Sequence, residues 1–170
     1  ILRSQGIENI VIFVCDALRW DYAPSEIADM GLTVKTIASS LYTGSTFPSI
    51  VSGLYPPRHG VHTWQHVLPQ SRRGLIDFDG YTFSLWCETS WMDSPPDKSG
   101  IHSTLGMPPG IPLDKGQPPF IYIEDDKGGH CPYGLPFGAF EGTGCSGFFN
   151  EFGKRGKQAL EQQYEEGIRQ

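Results

Sequence analysis

Several marks of membrane, secreted and nucleic-acid-binding proteins are missing from this chain. No stretch approaches the roughly 18 consecutive apolar residues of a membrane-spanning helix. No basic segment followed by an apolar one forms a leader peptide. Lysine and arginine form no block longer than the "SRRG" at 71–74, so an extended nucleic-acid footprint is not expected. These absences predict a cytoplasmic protein with neither a membrane nor a nucleic-acid partner.

Closely spaced cysteines are also missing. Cys15, Cys87, Cys131 and Cys145 are far apart, with no C-x-x-C pair, which fits neither a zinc ribbon nor a small disulfide scaffold. Cys15 and Cys87 lie in apolar runs and are predicted to be buried free thiols.

What is present indicates an ordinary globular protein. The 170 residues are 38% hydrophobic and 12% aromatic, which is enough for a compact domain with a core. The formal charge is −6, from 13 basic and 19 acidic residues. A small anionic substrate would therefore need a local positive centre, such as a metal ion.

Strand-like and helix-like segments alternate along the chain. Strands are predicted at 9–15, 81–87 and 119–124. A helix is predicted at 25–31, and the Gly/Pro-rich segments 53–60, 93–119 and 128–147 are predicted to be loops. This alternation predicts an α/β fold, a mostly parallel sheet with flanking helices.

The end of the chain carries an amphipathic helix pattern. Leu160, Tyr164 and Ile168 recur every fourth residue in a charged background. The pattern is still running at Gln170. We therefore expect residues 1–170 to be the N-terminal part of a longer domain, with the fold incomplete.

A first candidate site lies in "VIFVCDALRWDYAP", residues 11–24. If 9–15 is a central parallel strand, Asp16 lies at its carboxyl end, where open α/β sheets place their ligands. A carboxylate there can coordinate a cation. The alternative is that Asp16 caps the following turn or pairs with Arg19.

A second candidate lies in "LYTGSTFPSIVSGLYPPRHGV", residues 41–61. Proline is favoured in the first turn of a helix, so Pro48 predicts that Thr46 lies at or next to a helix N-terminus. Such an end attracts anions. The Thr46 hydroxyl is then either an ordinary cap or a nucleophile toward a phosphoryl or sulfuryl group.

Together these two stretches resemble the alkaline phosphatase superfamily, in its sulfatase and nucleotide pyrophosphatase/phosphodiesterase branches. Weaker matches follow in "GYTFSLWCETSW" at 80–91, "PPFIYIE" at 118–124, "HCPYG" at 130–134 and "YEEGIR" at 164–169. The resemblance implies that Asp16 is a metal ligand and that Thr46 is a metal-bound nucleophile. It implies that His130 approaches the ester oxygens of a substrate; the alternative is that His130 holds its loop by hydrogen bonds. The metal implied is divalent, zinc or manganese rather than calcium.

Departures from the sulfatase pattern favour the phosphodiesterase branch. Thr46 and Ile50 stand where sulfatases have the residue converted to formylglycine and an arginine, and Ala17 follows Asp16 where they present a second acid. The expectation is a metal-dependent hydrolase of small phosphate mono- or diesters, using Thr46 as nucleophile. The alternatives are a sulfatase-like hydrolase of sulfate esters, or an inert fragment or non-enzymatic member that keeps the fold. Asp16 and Thr46 alone are too few ligands for a stable zinc or calcium centre.

Overall fold

Three strands form one parallel sheet. A computed structural model of the chain describes residues 3–87, 100–126, 129–131, 133, 135 and 145–169. Its strands are β1 (Asn9–Cys15), β2 (Thr82–Cys87) and β3 (Phe120–Asp126), in the spatial order β1-β3-β2. The register between β2 and β3 runs from Thr82 opposite Phe120 to Cys87 opposite Asp125. The predicted α/β class with a parallel sheet is confirmed.

The strand order differs from the expectation in one respect. Strand β3, not β1, is central among the described strands, and β1 lies at an edge. Residues of β1 alternate between exposed and half-buried, with Val11 53% and Phe13 62% exposed. An unbroken apolar run cannot predict this, because strand order is decided by contacts between segments that are distant in sequence.

Six α-helices lie in the described part of the chain. They are α1 (Ser25–Ala28), α2 (Thr43–Ser52), α3 (Pro56–His59), α4 (Ile101–Leu105), α5 (Cys145–Phe152) and α6 (Lys157–Ile168). Helix α6 confirms the C-terminal amphipathic pattern. Helix α1 is shorter than predicted, and α4 forms inside a predicted loop. None of the described helices is long and apolar enough to cross a membrane.

The chain forms two compact units. The first comprises Ile1–Val14 and Ile37–Asp125, and the second comprises Cys15–Thr36 and Asp126–Gln170. In the first unit, side chains of the sheet pack against α2 and α4. The buried core of this unit contains Phe47, Val51, Val61, Leu68, Leu85, Cys87, Ile101, Leu105, Met107 and Ile123.

The second unit has a smaller, aromatic core. Phe148 and Phe152 of α5 stack with ring centroids 4.5 Å apart, and the buried Cys131 packs against them. Tyr133 makes edge-to-face contacts with Phe148 and with Tyr164 of α6, each at 5.1 Å between centroids. Such pairs hold the loop after β3 against α5 and α6.

Candidate functional site

The Asp16 turn, residues 15–19, follows directly on β1. The Asp16 N–H donates to the Asp126 carbonyl at 2.7 Å, and the Leu18 N–H donates to the Cys15 carbonyl at 3.3 Å. Ala17 takes a left-handed backbone conformation with φ of 60°, which is unfavourable for a residue with a side chain. Asp16 is half-buried at the carboxyl end of its strand, as the sequence predicted.

Tyr164 of α6 fixes this turn. Its hydroxyl accepts a hydrogen bond from the Arg19 N–H at 2.7 Å and donates one to the Ala17 carbonyl at 2.9 Å. Burial raises the pKa of Tyr164, which keeps the hydroxyl protonated and able to donate. The helix pattern identified Tyr164 only as an apolar position. A buried tyrosine needs a partner for its hydroxyl, and that requirement was the signal available in the sequence.

The loop after β3 approaches the same turn through Gly129. A Cβ atom on Gly129 would lie 2.7 Å from the Asp16 carbonyl oxygen and 2.9 Å from the Leu18 nitrogen. Only glycine fits this approach without a shift of backbone. The structure therefore brings Asp16 and His130 onto two loops of the same unit that touch each other.

His130 is held by a hydrogen bond within its own loop. Its Nδ1 lies 2.7 Å from the Cys131 carbonyl oxygen. A carbonyl only accepts, so Nδ1 carries the proton and, in the neutral ring, Nε2 is the accepting nitrogen. This geometry matches the loop-holding alternative and leaves the predicted substrate contact as a prediction.

Arg19 forms an ion pair with Asp21. Its Nε and Nη2 atoms donate to the two carboxylate oxygens at 3.0 and 2.6 Å, and its guanidinium lies 4.9 Å from the centre of the Tyr22 ring. The hydrogen bond with Asp21 raises the pKa of Arg19, and the same bond lowers the pKa of Asp21. Both side chains are exposed, so the pair contributes little to stability.

Thr46 lies in the other unit, in the first turn of α2. The predicted position at a helix N-terminus is confirmed, although α2 begins at Thr43 and Pro48 is its sixth residue. The Thr46 hydroxyl donates to the Ser40 carbonyl at 3.2 Å. The Ser45 hydroxyl lies 2.7 Å from that of Ser40. We call Ser40, Ser45 and Thr46 the hydroxyl cluster.

Two aromatic rings support the start of α2. Tyr42 and Trp64 pack edge to face with centroids 5.3 Å apart. A Cβ atom on Gly44 would lie 2.8 Å from the Tyr42 ring and 3.1 Å from the Trp64 ring. The first turn of α2 is therefore packed closely against them, and this packing fixes the position of the hydroxyl cluster.

His59, in the "H-G" of the second motif, is a structural residue. It is fully buried, and its Nδ1 accepts a hydrogen bond from the Val61 N–H at 3.0 Å. Its Nε2 lies 3.0 Å from the Ser49 hydroxyl and must therefore be the donor. Burial lowers the pKa of His59 and keeps the ring neutral. Because Nε2 carries the proton, His59 cannot accept one from Ser49 and joins α3 to α2 instead.

The donor set does not complete a divalent metal site. Asp16 and Thr46 are only two ligand residues and belong to different units, whereas zinc takes four ligands and calcium about six to eight. Within the described ranges, no group of three His, Cys, Asp or Glu side chains is placed to hold a metal ion. Residues 88–91 of the third motif, and Pro132 and Gly134 of "HCPYG", lie outside the described residues.

Comparisons with known proteins give one informative result. No family model matches the chain, and no solved structure matches it. The chain is 33% identical over 138 residues to the "Low-salt glycan biosynthesis sulfotransferase Agl7" of Haloferax volcanii. The match covers 81% of this chain and 34% of the relative, so it spans about a third of that protein's length.

This relative overturns the functional expectation. A sulfotransferase is a transferase and not a hydrolase. The predicted membership of the alkaline phosphatase superfamily is therefore wrong. The predicted hydrolysis of phosphate esters by a Thr46 nucleophile is also wrong, as is the sulfatase alternative. The physical reason is that hydroxyl residues at the start of a helix suit any tetrahedral oxyanion, and that an aspartate after a strand does not by itself identify a metal site. Such motifs distinguish neither phosphoryl from sulfuryl groups nor water from another acceptor. Over about four fifths of its length, the chain is similar to a sulfotransferase of glycan biosynthesis.

Proposed function

We propose that the protein containing this chain transfers a sulfuryl group from an activated sulfate donor to a hydroxyl group of a glycan. The observation that carries the proposal is the 33% identity, over 138 residues, to a sulfotransferase named for glycan biosynthesis. Because the chain spans about a third of that relative, the activity is proposed for the longer protein. This chain would contribute part of its site.

The hydroxyl cluster supports the proposal chemically. In sulfuryl transfer the acceptor oxygen attacks sulfur as the donor's leaving group departs, and negative charge is carried by the remaining sulfuryl oxygens. The positive end of a helix dipole and nearby hydrogen-bond donors stabilise such charge. Thr46 donates its present bond to the Ser40 carbonyl over a long 3.2 Å, so redirecting that hydroxyl to a sulfuryl oxygen costs little.

Separately from the hydroxyl cluster, His130 of the second unit is proposed as a base that takes the proton of a substrate hydroxyl. That proton must leave as the new oxygen–sulfur bond forms, and a neutral imidazole with its proton on Nδ1 accepts at Nε2. The Cys131 carbonyl holds His130 in this tautomer at 2.7 Å. Asp16 lies on the turn next to the His130 loop, in the same unit.

The predicted divalent cation at Asp16 and Thr46 stays a prediction. Since the described donors are too few for a complete site, no step is assigned to a metal. Metal analysis of the purified full-length protein, with Asp16→Ala as comparison, checks it.

A transfer assay tests the proposed function. Full-length protein is incubated with a radiolabelled activated sulfate donor and an oligosaccharide acceptor, and the label and the added sulfuryl mass on the acceptor are measured. We expect Thr46→Val to lower kcat/KM about 100-fold, the effect of removing one preorganised donor. His130→Gln should lower kcat and flatten its pH dependence.

Two control variants match these substitutions. Thr63→Val and His66→Gln change exposed residues of the same types and should keep wild-type rates. The absence of label on the acceptor with the wild-type protein would refute the proposed function. Equal rates for Thr46→Val and Thr63→Val would refute the role of the hydroxyl cluster but not the proposed transfer reaction.

A further inference from the structure

Three of the four cysteines belong to the second unit, and two of these, Cys131 and Cys145, lie close together. Cys131 is buried in the loop after β3, and Cys145, the first residue of α5, is half-buried. The Cys145 thiol donates to the Cys131 carbonyl at 3.4 Å. Cys87 belongs to the other unit, where its thiol donates to Asp125 at 3.2 Å.

The surrounding core holds both sulfur atoms in place. Cys131 forms the small core of this unit with Phe148 and Phe152, and Cys145 packs against the same cluster. Because both cysteines pack into one cluster and the Cys145 thiol reaches the Cys131 carbonyl, a small movement of the side chains can bring the two sulfur atoms together. Of the two, Cys145 is the more exposed, so it is the thiol that a soluble oxidant reaches first.

We propose that Cys131 and Cys145 form a reversible disulfide next to His130. The Cys145 thiolate attacks one sulfur of a small-molecule disulfide, such as oxidised glutathione, and releases one thiolate. The Cys131 thiol then loses its proton to solvent, its sulfur attacks the Cys145 sulfur of the mixed disulfide, and the second small thiol leaves. Two protein thiols are oxidised by two electrons, and one small disulfide is reduced to two thiols.

Burial makes the second step the slower one. Burial, followed by the hydrogen bond with Cys145, raises the pKa of Cys131, so its thiol is protonated at neutral pH. The thiolate is the reactive form in disulfide exchange. The mixed disulfide at Cys145 is therefore expected to form before the internal bond closes.

Oxidation of the two thiols would change the hydrogen bonding of His130, because His130 and Cys145 donate to the same carbonyl. The Cys131 carbonyl accepts hydrogen bonds both from the Cys145 thiol at 3.4 Å and from His130 Nδ1 at 2.7 Å. A disulfide removes the thiol proton and with it one of these two bonds. Of the Cys145 thiol and His130 Nδ1, only His130 Nδ1 then still donates to the Cys131 carbonyl.

Peptide mapping of the full-length protein tests the disulfide directly. The protein is equilibrated in mixtures of reduced and oxidised glutathione, remaining thiols are alkylated with N-ethylmaleimide, and the digest is analysed by mass spectrometry. We expect a cross-linked pair of peptides containing Cys131 and Cys145, which dithiothreitol separates. Alkylation of both residues at every glutathione ratio, in protein with an unchanged circular dichroism spectrum, would refute the proposal, as would a cross-link joining another pair.

A stability measurement gives a second, independent readout. The oxidised wild-type protein should unfold at a higher urea concentration than the reduced protein, because a cross-link restricts the unfolded chain. Cys15→Ser should keep this redox-dependent shift, and Cys145→Ser should abolish it. A shift that persists in Cys145→Ser would contradict the assignment of the pair.

Discussion

One hydroxyl group joins the Asp16 turn to helix α6. The Tyr164 oxygen both accepts from the Arg19 N–H and donates to the Ala17 carbonyl, and Ala17 is the residue with the unfavourable φ of 60°. The two hydrogen bonds hold the backbone in a conformation that alanine alone would rarely adopt. Tyr164 is thus a positioning residue for the turn that carries Asp16.

Replacing this tyrosine should be costly. Tyr164→Phe leaves one N–H and one carbonyl of the turn without their partner and should lower the free energy of unfolding by about 1–3 kcal/mol. Urea denaturation measures the loss. Tyr55→Phe is the control, because Tyr55 is 72% exposed and its variant should match the wild type. Equal stability of the two variants would show that Tyr164 acts by packing alone.

His59 should make stability depend on pH. The folded protein keeps His59 neutral because burial lowers its pKa, whereas the unfolded chain protonates it below about pH 6.5. The unfolded state therefore binds more protons in this range, and stability is lost as pH falls from about 6.5 toward the lower folded pKa. One such group contributes at most about 1.4 kcal/mol per pH unit.

Urea denaturation between about pH 8 and pH 5 checks this dependence. His59→Gln should show a smaller loss of stability on acidification than the wild type, even if it is less stable at every pH. His62→Gln, at an exposed position, should keep the wild-type slope. The same slope in all three proteins would show that His59 is not the group responsible.

Among the secondary-structure elements, the predictable ones are those with strong periodicity. The three strands lie within two residues of their predicted ends, and α6 follows the pattern of Leu160, Tyr164 and Ile168. Helix α4 was not predictable because five residues between Gly100 and Gly106 are too few to show a period. For α2, Pro48 suggested a later start than Thr43. The close packing of Gly44 against two aromatic rings, which no local signal reveals, favours the earlier start.

An arginine donates a hydrogen bond to the C-terminal end of helix α4. The Arg73 Nη2 donates to the Gly106 carbonyl at 2.7 Å, where the helix dipole favours a positive charge. Arg73 Nε is buried without a hydrogen bond to any described residue, which offsets part of the gain. We expect Arg73→Met to lower the free energy of unfolding by about 1–2 kcal/mol.

The neighbouring Arg72 provides a matched control. It is exposed, so Arg72→Met should change the free energy of unfolding by less than about 0.5 kcal/mol. Chemical denaturation of both variants makes the comparison. A larger loss for Arg72→Met than for Arg73→Met would contradict the role given to the α4 end.

For the molecule as a whole, the sequence predicted fold class well and reaction class badly. Asp16 follows a strand and Thr46 begins a helix, as expected, because apolar runs and a proline indicate local structure. The acceptor and the transferred group depend on residues that close around the substrate. Neither Asp16 nor Thr46 distinguishes water from another acceptor, so their positions alone could not separate a hydrolase from a transferase.

The surface of the molecule carries an apolar segment between α1 and α2. Leu32 is 94% exposed, and Ile37 and Leu41 are as open as in an extended chain. Combined substitution by serine should lower self-association in sedimentation velocity, because exposed apolar area promotes it. Stability should change by less than about 0.5 kcal/mol per site. As a control, Leu68→Ala changes a buried residue and should lower the free energy of unfolding by about 2–5 kcal/mol. A loss of this size in the serine variant would contradict the exposure of this segment.

The bond between Tyr164 and Ala17 also determines when the Asp16 turn matures. These residues are 147 positions apart, so a growing polypeptide cannot make this contact until α6 has left the ribosome. Contacts of such long separation form late, because a large loop must close first. Strand β1 and its aspartate are therefore synthesised well before the helix on which the final geometry of their turn depends.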